Sequence, residues 1–143
     1  MSPYQQTRPT NPMKNPKSKG FIKSMVESAS PLQLLVLMYD GAIQWLTIAK
    51  KEIDKNSEPD IIPNWSEFSN CIKKTLGIIS HLQETLNTEH DEAFAMRLFD
   101  LYDFINRELG QINMKKDKKK IDSIIEILRE VKSSWRQIMK KNS

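Results

Sequence analysis

The fold is decided by residues 30–53, which read SPLQLLVLMYDGAIQWLTIAKKEI. Ser30 is a candidate N-cap, Pro31 takes the first helical position, and Gln33 completes a capping box with the serine. This pattern predicts a helix from Pro31 to about Ile53. One stripe of apolar residues recurs at helical spacing and fits a core seam: Leu35, Met38, Ala42, Leu46, Ala49 and Ile53.

The same helix carries a second apolar line beside the first. Its members are Leu34, Leu37, Gly41, Trp45 and Ile48. A helix that is apolar this far round is buried on more than one side. We therefore expect it to have more apolar surface than one core seam can cover. Gly41 costs about 1 kcal/mol inside a helix, which indicates a close approach of another helix.

Three more amphipathic segments follow, at about residues 64–87, 92–112 and 119–139. Each shows an apolar stripe with the helical period, and short connections separate them. The last has a strict seam of Ile121, Ile124, Ile125, Leu128, Val131, Trp135 and Ile138. Four helices of similar length predict an all-α fold, an antiparallel up-down four-helix bundle formed by residues 21–143. A three-helix arrangement with a detached fourth helix is the alternative.

The chain begins with a different kind of segment. Residues 1–20 contain four of the 7 prolines and four basic residues but no acidic one, so the net charge of +4 lies on this tail. With few apolar residues it cannot offset its ordering entropy, and we predict a disordered, flexible arm. After it, Phe21, Ile22, Met25 and Val26 recur at helical spacing. This segment is too short to be a stable helix alone and must lie on an apolar surface.

The residues that carry chemistry do not form a recognisable active site. His81, His90 and Cys71 have no zinc-site spacing, and neither histidine belongs to a Glu-x-x-His di-iron motif, so we expect no metal and no cofactor. Cys71 lies beside an apolar stripe, where a thiol acts as a small hydrophobe. No glycine-rich phosphate loop is present. We predict no catalytic residues and no enzymatic activity.

Other classes of function are also disfavoured. The apolar runs are too short for a bilayer span and the N-terminus lacks the apolar core of a signal peptide, so we expect a cytoplasmic protein without membrane insertion. The lysines of residues 115–120 are the best case for nucleic-acid binding. They crowd one turn without interleaved aromatic residues, which favours a solvated turn.

Residues 28–43, SASPLQLLVLMYDGAI, closely resemble the signature of the flagellin-specific export chaperones, the FliS family. That signature is a Thr-Ala-Ser-Pro cap followed by an apolar helix with Leu-Tyr-Asp-Gly-Ala. The resemblance continues in order to about Ile138, through Leu101-Tyr102-Asp103, Leu109, Asn113, Asp117, Leu128-Arg129 and Trp135. The chain departs from the family at Asp91-Glu92, where a Gly-Gly pair is usual, and at Phe21, where tyrosine is common.

The resemblance implies a four-helix bundle that binds the C-terminal segment of flagellin, prevents premature polymerisation and assists delivery to the flagellar export gate. It also implies that the N-terminal segment can cover the binding surface. We accordingly predict a movable lid formed by Phe21, Ile22, Met25 and Val26, with an ordinary N-terminal staple as the alternative. The predicted partner-binding residues, each of which could also be ordinary core, are Leu34, Leu37, Trp45, Ile48, Ile78 and Phe104.

Two other functions remain open. One is a helical adaptor or regulator with a different client, and the other is a nucleic-acid-binding bundle that uses the tail and the lysine turn. The sequence leaves open whether the protein is a monomer or a homodimer.

Overall fold

The computed structural model describes residues 31–86 and 91–141. They form four α-helices, which we number α1 (Pro31–Lys55), α2 (Trp65–Glu84), α3 (Glu92–Lys115) and α4 (Lys118–Lys141). The predicted tail, the lid segment, the Ser30 cap and His90 lie outside the described residues. All four predicted helices are confirmed, and the ends differ from the predicted ones by at most three residues.

The helix ends follow from local chemistry. Asn64 caps α2 by accepting a hydrogen bond from the Glu67 N–H, and Asp91 caps α3 in the same way through the Phe94 N–H. α3 runs past the predicted end at Ile112 and ends at Lys115. It ends there because Lys116 adopts a left-handed conformation and its N–H bonds to the Ile112 carbonyl. A glycine usually takes that position, and a lysine there is not a recognisable stop signal.

α1 lies between α2 and α4, α3 packs on α2, and the contact of α3 with α4 is the sparsest of the four. Neighbouring helices are antiparallel, so the structure is an all-α four-helix bundle. The core is built from the predicted stripes, and its fully buried members include Tyr39, Ala42, Leu46, Ala49, Phe68, Ile72, Ile79, Ile105, Leu109, Ile112, Ile121 and Leu128. The detached-helix alternative is therefore wrong.

Three ion pairs join α1 to α4. The lysine Nζ and carboxylate Oδ1 atoms are 2.7 Å apart for Lys132–Asp40, 2.6 Å for Lys50–Asp122 and 2.6 Å for Lys118–Asp54. Each step forward along α1 is matched by an equal step back along α4. The sign of the charge on α1 alternates from pair to pair.

A buried carboxylate closes the opposite end of the bundle from the start of α1. Glu52 accepts a hydrogen bond from the Asn64 N–H at 2.9 Å and pairs with Lys55 at 2.6 Å. The hydrogen bond from Lys55 holds the pKa of this carboxyl below its ordinary value. Glu52 thus ties the end of α1 to the start of α2, a role that its place in the sequence did not indicate.

α1 corrects the expectation that every apolar run of the chain is too short to span a bilayer. By length and hydropathy alone it is apolar enough to cross a membrane. In the bundle it is the central helix, and its apolar faces pack on α2 and α4. Part of the apolar surface that suggests a span is therefore used as core.

Candidate functional site

An open cleft lies where four helix ends meet: the start of α1, the end of α2, the start of α3 and the last part of α4. Its volume is about 580 Å³. Its walls are mainly apolar, and the residues that form them include Pro31, Leu32, Leu34, Leu35, Met38, Leu82, Leu86, Phe94, Ala95 and Leu98. We call this the end cleft. Pro31, the first residue that the structure describes, is part of its wall.

Polar groups are found at the floor of the end cleft. The hydroxyl of Tyr39 on α1 hydrogen-bonds that of Tyr102 on α3 across the core. Tyr102 and Trp135 both line the cleft, but Tyr102 is almost as completely buried as Tyr39. The Trp135 Nε1 atom is shielded from solvent and has no hydrogen-bond partner of normal geometry among the described residues.

Burial decides the protonation of the two tyrosines. Desolvation raises the pKa of Tyr39, and the nearby Tyr102 hydroxyl and Trp135 indole only partly oppose the rise. Desolvation raises the pKa of Tyr102 strongly, and Tyr39 adds to the rise. Both hydroxyls are therefore neutral and carry their protons throughout the physiological range.

A second, smaller depression lies in the sparse contact between α3 and α4. It has a volume of about 180 Å³ and is lined by Phe104, Glu108, Lys120, Ser123, Ile124 and Ile127. Phe104 is 40% exposed although it is a large apolar residue. The Lys120 Nζ atom lies 3.1 Å from Glu108 Oε2 and bridges the two helices at this point. We call this depression the α3–α4 groove.

The predicted partner-binding residues are divided among different surroundings. Leu34 lines the end cleft and Phe104 lines the α3–α4 groove. Ile78 lies opposite Gly41, between α1 and α2, and is partly buried against the core together with Ile48.

The other two predicted residues differ in exposure. Leu37 is half-buried on α1. Trp45 is only 7% exposed and belongs to the core cluster. The structure thus does not bring all six side chains into one surface. The four lid residues lie outside the described part of the chain.

Sequence reasoning did not select most residues of the end cleft. Leu35 and Met38 belong to the predicted core stripe of α1, and Leu82 and Leu98 are buried residues of α2 and α3. What the pattern could not show is that the stripes of four helices end at one level and leave their last members partly uncovered. Trp135 was known only as the end of the α4 seam and as part of the family resemblance.

The described residues offer little for catalysis. Within 31–86 and 91–141, no three histidine, cysteine or acidic side chains are grouped so that they could hold a metal ion. Burial, reinforced by Glu67, raises the pKa of the Cys71 thiol to about 12, so the nucleophilic thiolate is suppressed. His81 lines the end cleft near the end of α2.

The lysine turn makes contacts within the molecule. Lys118 pairs with Asp54 and Lys120 with Glu108, while the Lys116 Nζ lies 5.5 Å from the ring centroid of Trp65. These lysines connect α4 and the α3–α4 turn to the rest of the bundle. The arrangement accounts for their presence without a phosphate ligand.

Comparisons with known proteins agree with this architecture. The family model described as "Flagellar protein FliS" matches residues 13–142. The chain is 34% identical over 120 residues to the "Flagellar secretion chaperone FliS" of Vibrio cholerae, which covers 84% of this chain and 83% of the relative. It is 31% identical over 123 residues to the protein of the same description from Salmonella typhimurium, covering 85% of this chain and 86% of the relative.

A solved structure has the same fold. It is described as "Crystal structure of flagellar chaperone from bacteria" and superimposes with a TM-score of 0.69 at 17% identity. The match covers 88% of this chain and 99% of the other.

Proposed function

Since the chain belongs to the FliS family and is accordingly a flagellar export chaperone, we propose that it binds the C-terminal segment of flagellin in an apolar groove. Binding keeps flagellin unpolymerised in the cytoplasm until it is exported. The observation that carries this proposal is the end cleft, an open and mainly apolar volume of about 580 Å³.

The energetics of such a site are adequate. Each Leu, Ile or Phe side chain that a client buries fully contributes roughly 1.5–3 kcal/mol. Ordering a disordered segment costs on the order of 2–5 kcal/mol or more. A few apolar client side chains in the end cleft therefore offset the ordering cost. The same contacts remove from water the surface through which the client segment would otherwise self-associate.

We retain the six predicted partner-binding residues as the proposed contact set: Leu34, Leu37, Trp45, Ile48, Ile78 and Phe104. Leu34 is supported by its place in the end cleft, and Phe104 by its exposure in the α3–α4 groove. Ile78 and Leu37 extend the contact along α1 and α2. Trp45 and Ile48 pack in and against the core, so they would support this surface from inside the bundle.

The lid proposal follows from chain length. Four residues separate Val26 from Pro31, and an extended chain advances about 3.3–3.6 Å per residue. Val26 can therefore lie within roughly 17 Å of the cleft wall, and Phe21, Ile22 and Met25 precede it in the chain. We propose that these four side chains occupy the end cleft when flagellin is absent.

Deleting residues 1–26 separates a lid from a staple. If the segment is a lid, the truncated protein binds flagellin more tightly, because the client no longer competes with it. If the segment is a staple, the truncation lowers the melting temperature and leaves the affinity unchanged. Unchanged affinity would end the lid proposal but not the proposed function.

The direct test of function is co-purification with flagellin from the same organism, followed by titration. Leu34→Ala should weaken binding by about tenfold, since it removes roughly 1.5 kcal/mol of apolar contact. Ile62→Ala is the matched control, because Ile62 is 91% exposed in the loop between α1 and α2, at the other end of the bundle. Failure to recover flagellin would favour the alternative of a helical adaptor with another client.

The remaining assignments rest on the family. We propose that the protein delivers its client to the flagellar export gate and that it acts as a binding protein without catalysis. Nucleic acid is not among the proposed partners. Sedimentation of the free protein and of its complex with flagellin would establish whether the working unit is a monomer or a homodimer.

A further inference from the structure

We infer that the end of the bundle opposite the end cleft is a self-complementary surface on which a second copy of this chain docks about a twofold axis. This surface, which we call the loop end, consists of the α1–α2 loop (residues 56–64) and the α3–α4 turn (residues 114–119). None of its residues lines the end cleft or the α3–α4 groove. The docking therefore goes beyond the proposed function and does not depend on which client the end cleft binds.

Contacts across the bundle bring the loop and the turn to the same end. The Lys118 Nζ atom of the turn is 2.6 Å from Asp54 Oδ1, near the end of α1. The Lys116 Nζ atom lies 5.5 Å from the ring centroid of Trp65, at the start of α2. Because α2 and α4 each pack against both α1 and α3, the four helices form a roughly square bundle. The α1–α2 loop and the α3–α4 turn therefore lie along opposite edges of this square.

Large apolar side chains are exposed at the loop end. Ile62 is 91% exposed and Ile61 is 47% exposed, both in the α1–α2 loop, and Met114 at the end of α3 is 78% exposed. Pro59 and Pro63 flank the isoleucines and restrict the backbone of the loop, so less entropy is lost when a partner binds it. One exposed apolar residue is ordinary on a protein surface, whereas three at one end offer a partner an area to bury.

The two edges of the loop end carry opposite charges. Glu58 and Asp60 lie on the α1–α2 loop, Lys115 and Lys119 lie on the α3–α4 turn, and all four are exposed. Within the described part of the chain, none of these four side chains forms an ion pair. One end of the molecule thus presents an acidic edge and a basic edge whose charges are free to meet a partner.

A twofold axis that runs between the two edges, parallel to both, sets the loop of each copy against the turn of the other. Two identical contacts between acidic and basic groups then form, and the isoleucines of each loop face the Met114 side of the other copy. A partner with charge of one sign would be attracted at one edge and repelled at the other. A second copy of this chain is therefore the occupant that the charges fit.

The size of the loop end limits the strength of the docking. Four packed helices, each about 10 Å across, present an end on the order of 400 Å² per copy. A stable interface buries about 800 Å² per partner. We therefore expect a weak, reversible dimer that forms at high protein concentration. Its two end clefts lie at the far ends, so each copy remains open to a client.

Charge reversal at either edge tests this pairing. In the variant Glu58→Lys/Asp60→Lys both edges are positive, and in Lys115→Glu/Lys119→Glu both are negative. In sedimentation equilibrium each variant alone should show a dimer dissociation constant at least about tenfold higher than the wild type, because like charges meet at both contacts. An equimolar mixture of the two variants should dimerise again, since both contacts between unlike variants are attractive.

Two further variants control for fold and for net charge. Ile62→Asp changes a side chain that is 91% exposed, so it should melt like the wild type and yet dimerise more weakly. Lys73→Glu/Arg129→Glu reverses two exposed charges on the sides of α2 and α4, away from the loop end, and should dimerise like the wild type.

Three results would overturn the inference. A wild-type protein that stays monomeric up to about 1 mM would do so, and would leave a different protein as the occupant of the loop end. Charge-reversed variants that dimerise as well as the wild type would exclude the proposed face. A mixture of the two variants that stays monomeric would exclude the twofold pairing of loop with turn.

Titration with a peptide of the C-terminal segment of flagellin separates the dimer from the proposed function. All loop-end variants should bind the peptide within about twofold of the wild type, because the end cleft lies at the other end of the bundle. Weaker peptide binding by loop-end variants that melt normally would assign this end to the client, and would overturn the dimer. Failure of the wild-type protein to bind flagellin, with dimerisation intact, would overturn the proposed function alone.

Discussion

Replacing Gly41 by alanine should stabilise the free protein, although glycine in the middle of α1 suggests from sequence a position that tolerates nothing larger. An added Cβ would lie 3.6 Å from Cδ1 of Ile78, which is an ordinary van der Waals distance. The packing of α1 on α2 thus leaves room for a methyl group at this position. Alanine is favoured over glycine within a helix by about 0.8–1.0 kcal/mol.

The expected gain is therefore about 1 kcal/mol, or roughly 4 °C in melting temperature for a domain of this size. Gly77→Ala and Gly110→Ala are matched controls, since an added Cβ at either position meets no atom within 4 Å. All three variants should melt later than the wild type when followed by circular dichroism. A lower melting temperature for Gly41→Ala alone would mean that the added methyl group clashes with α2, and would refute the reasoning.

Binding of flagellin to the same variants gives a second reading. Gly41 belongs to the second apolar line of α1, with Leu37 one turn before it. If the client packs against this line, a new methyl group displaces it, and Gly41→Ala should bind flagellin more weakly while the controls bind normally. Glycine at this position would then be explained by the complex and not by the isolated bundle.

Three further outcomes are expected. In an alkaline titration followed by ultraviolet absorbance, Tyr39 and Tyr102 should not ionise near the ordinary tyrosine pKa of about 10; because their folded pKa values are raised, their contribution to stability is complete below that pH and is lost as pH rises above it. Cys71, with a pKa of about 12, should react with a disulfide reagent far more slowly in the native than in the denatured protein at mildly alkaline pH. Asn64→Ala and Asp91→Ala should each lower the free energy of unfolding by about 1 kcal/mol in urea titrations, and an unchanged value would show that the cap is dispensable.

The fold was largely predictable because it depends on periodicity. In each helix the spacing of the apolar residues indicates the buried face. Leu46, Ile72, Ile105 and Ile121 are examples, one from each helix, and all four are fully buried. The end at Lys115 was missed because a lysine takes the left-handed position that usually calls for glycine. Local sequence shows which face of a helix is buried but not which non-glycine residue the turn will place at positive φ.

The candidate site was less predictable. The second apolar line on α1 indicated surplus apolar surface, but it includes Trp45, which is core, and omits Met38, which is also cleft wall. Whether an apolar residue faces a core or a cleft depends on where neighbouring helices end. That information lies in the relative heights of four helices, which no single helix encodes. The hydrogen bond between Tyr39 and Tyr102 likewise forms only because the two side chains, one from α1 and one from α3, enter the core at the same height.

The alternating ion pairs between α1 and α4 have a consequence for the shape of the end cleft. A slip of α4 by one helical turn in one direction would set Asp54 against Asp122, and a slip in the other direction would set Lys50 against Lys118. Each exposed pair contributes little stability by itself, about 0–1 kcal/mol. Each slip replaces one of these attractions with a repulsion, so the charges favour the observed height of α4 by a small margin. At this height Trp135 of α4 lies level with Leu35 of α1, and both line the end cleft.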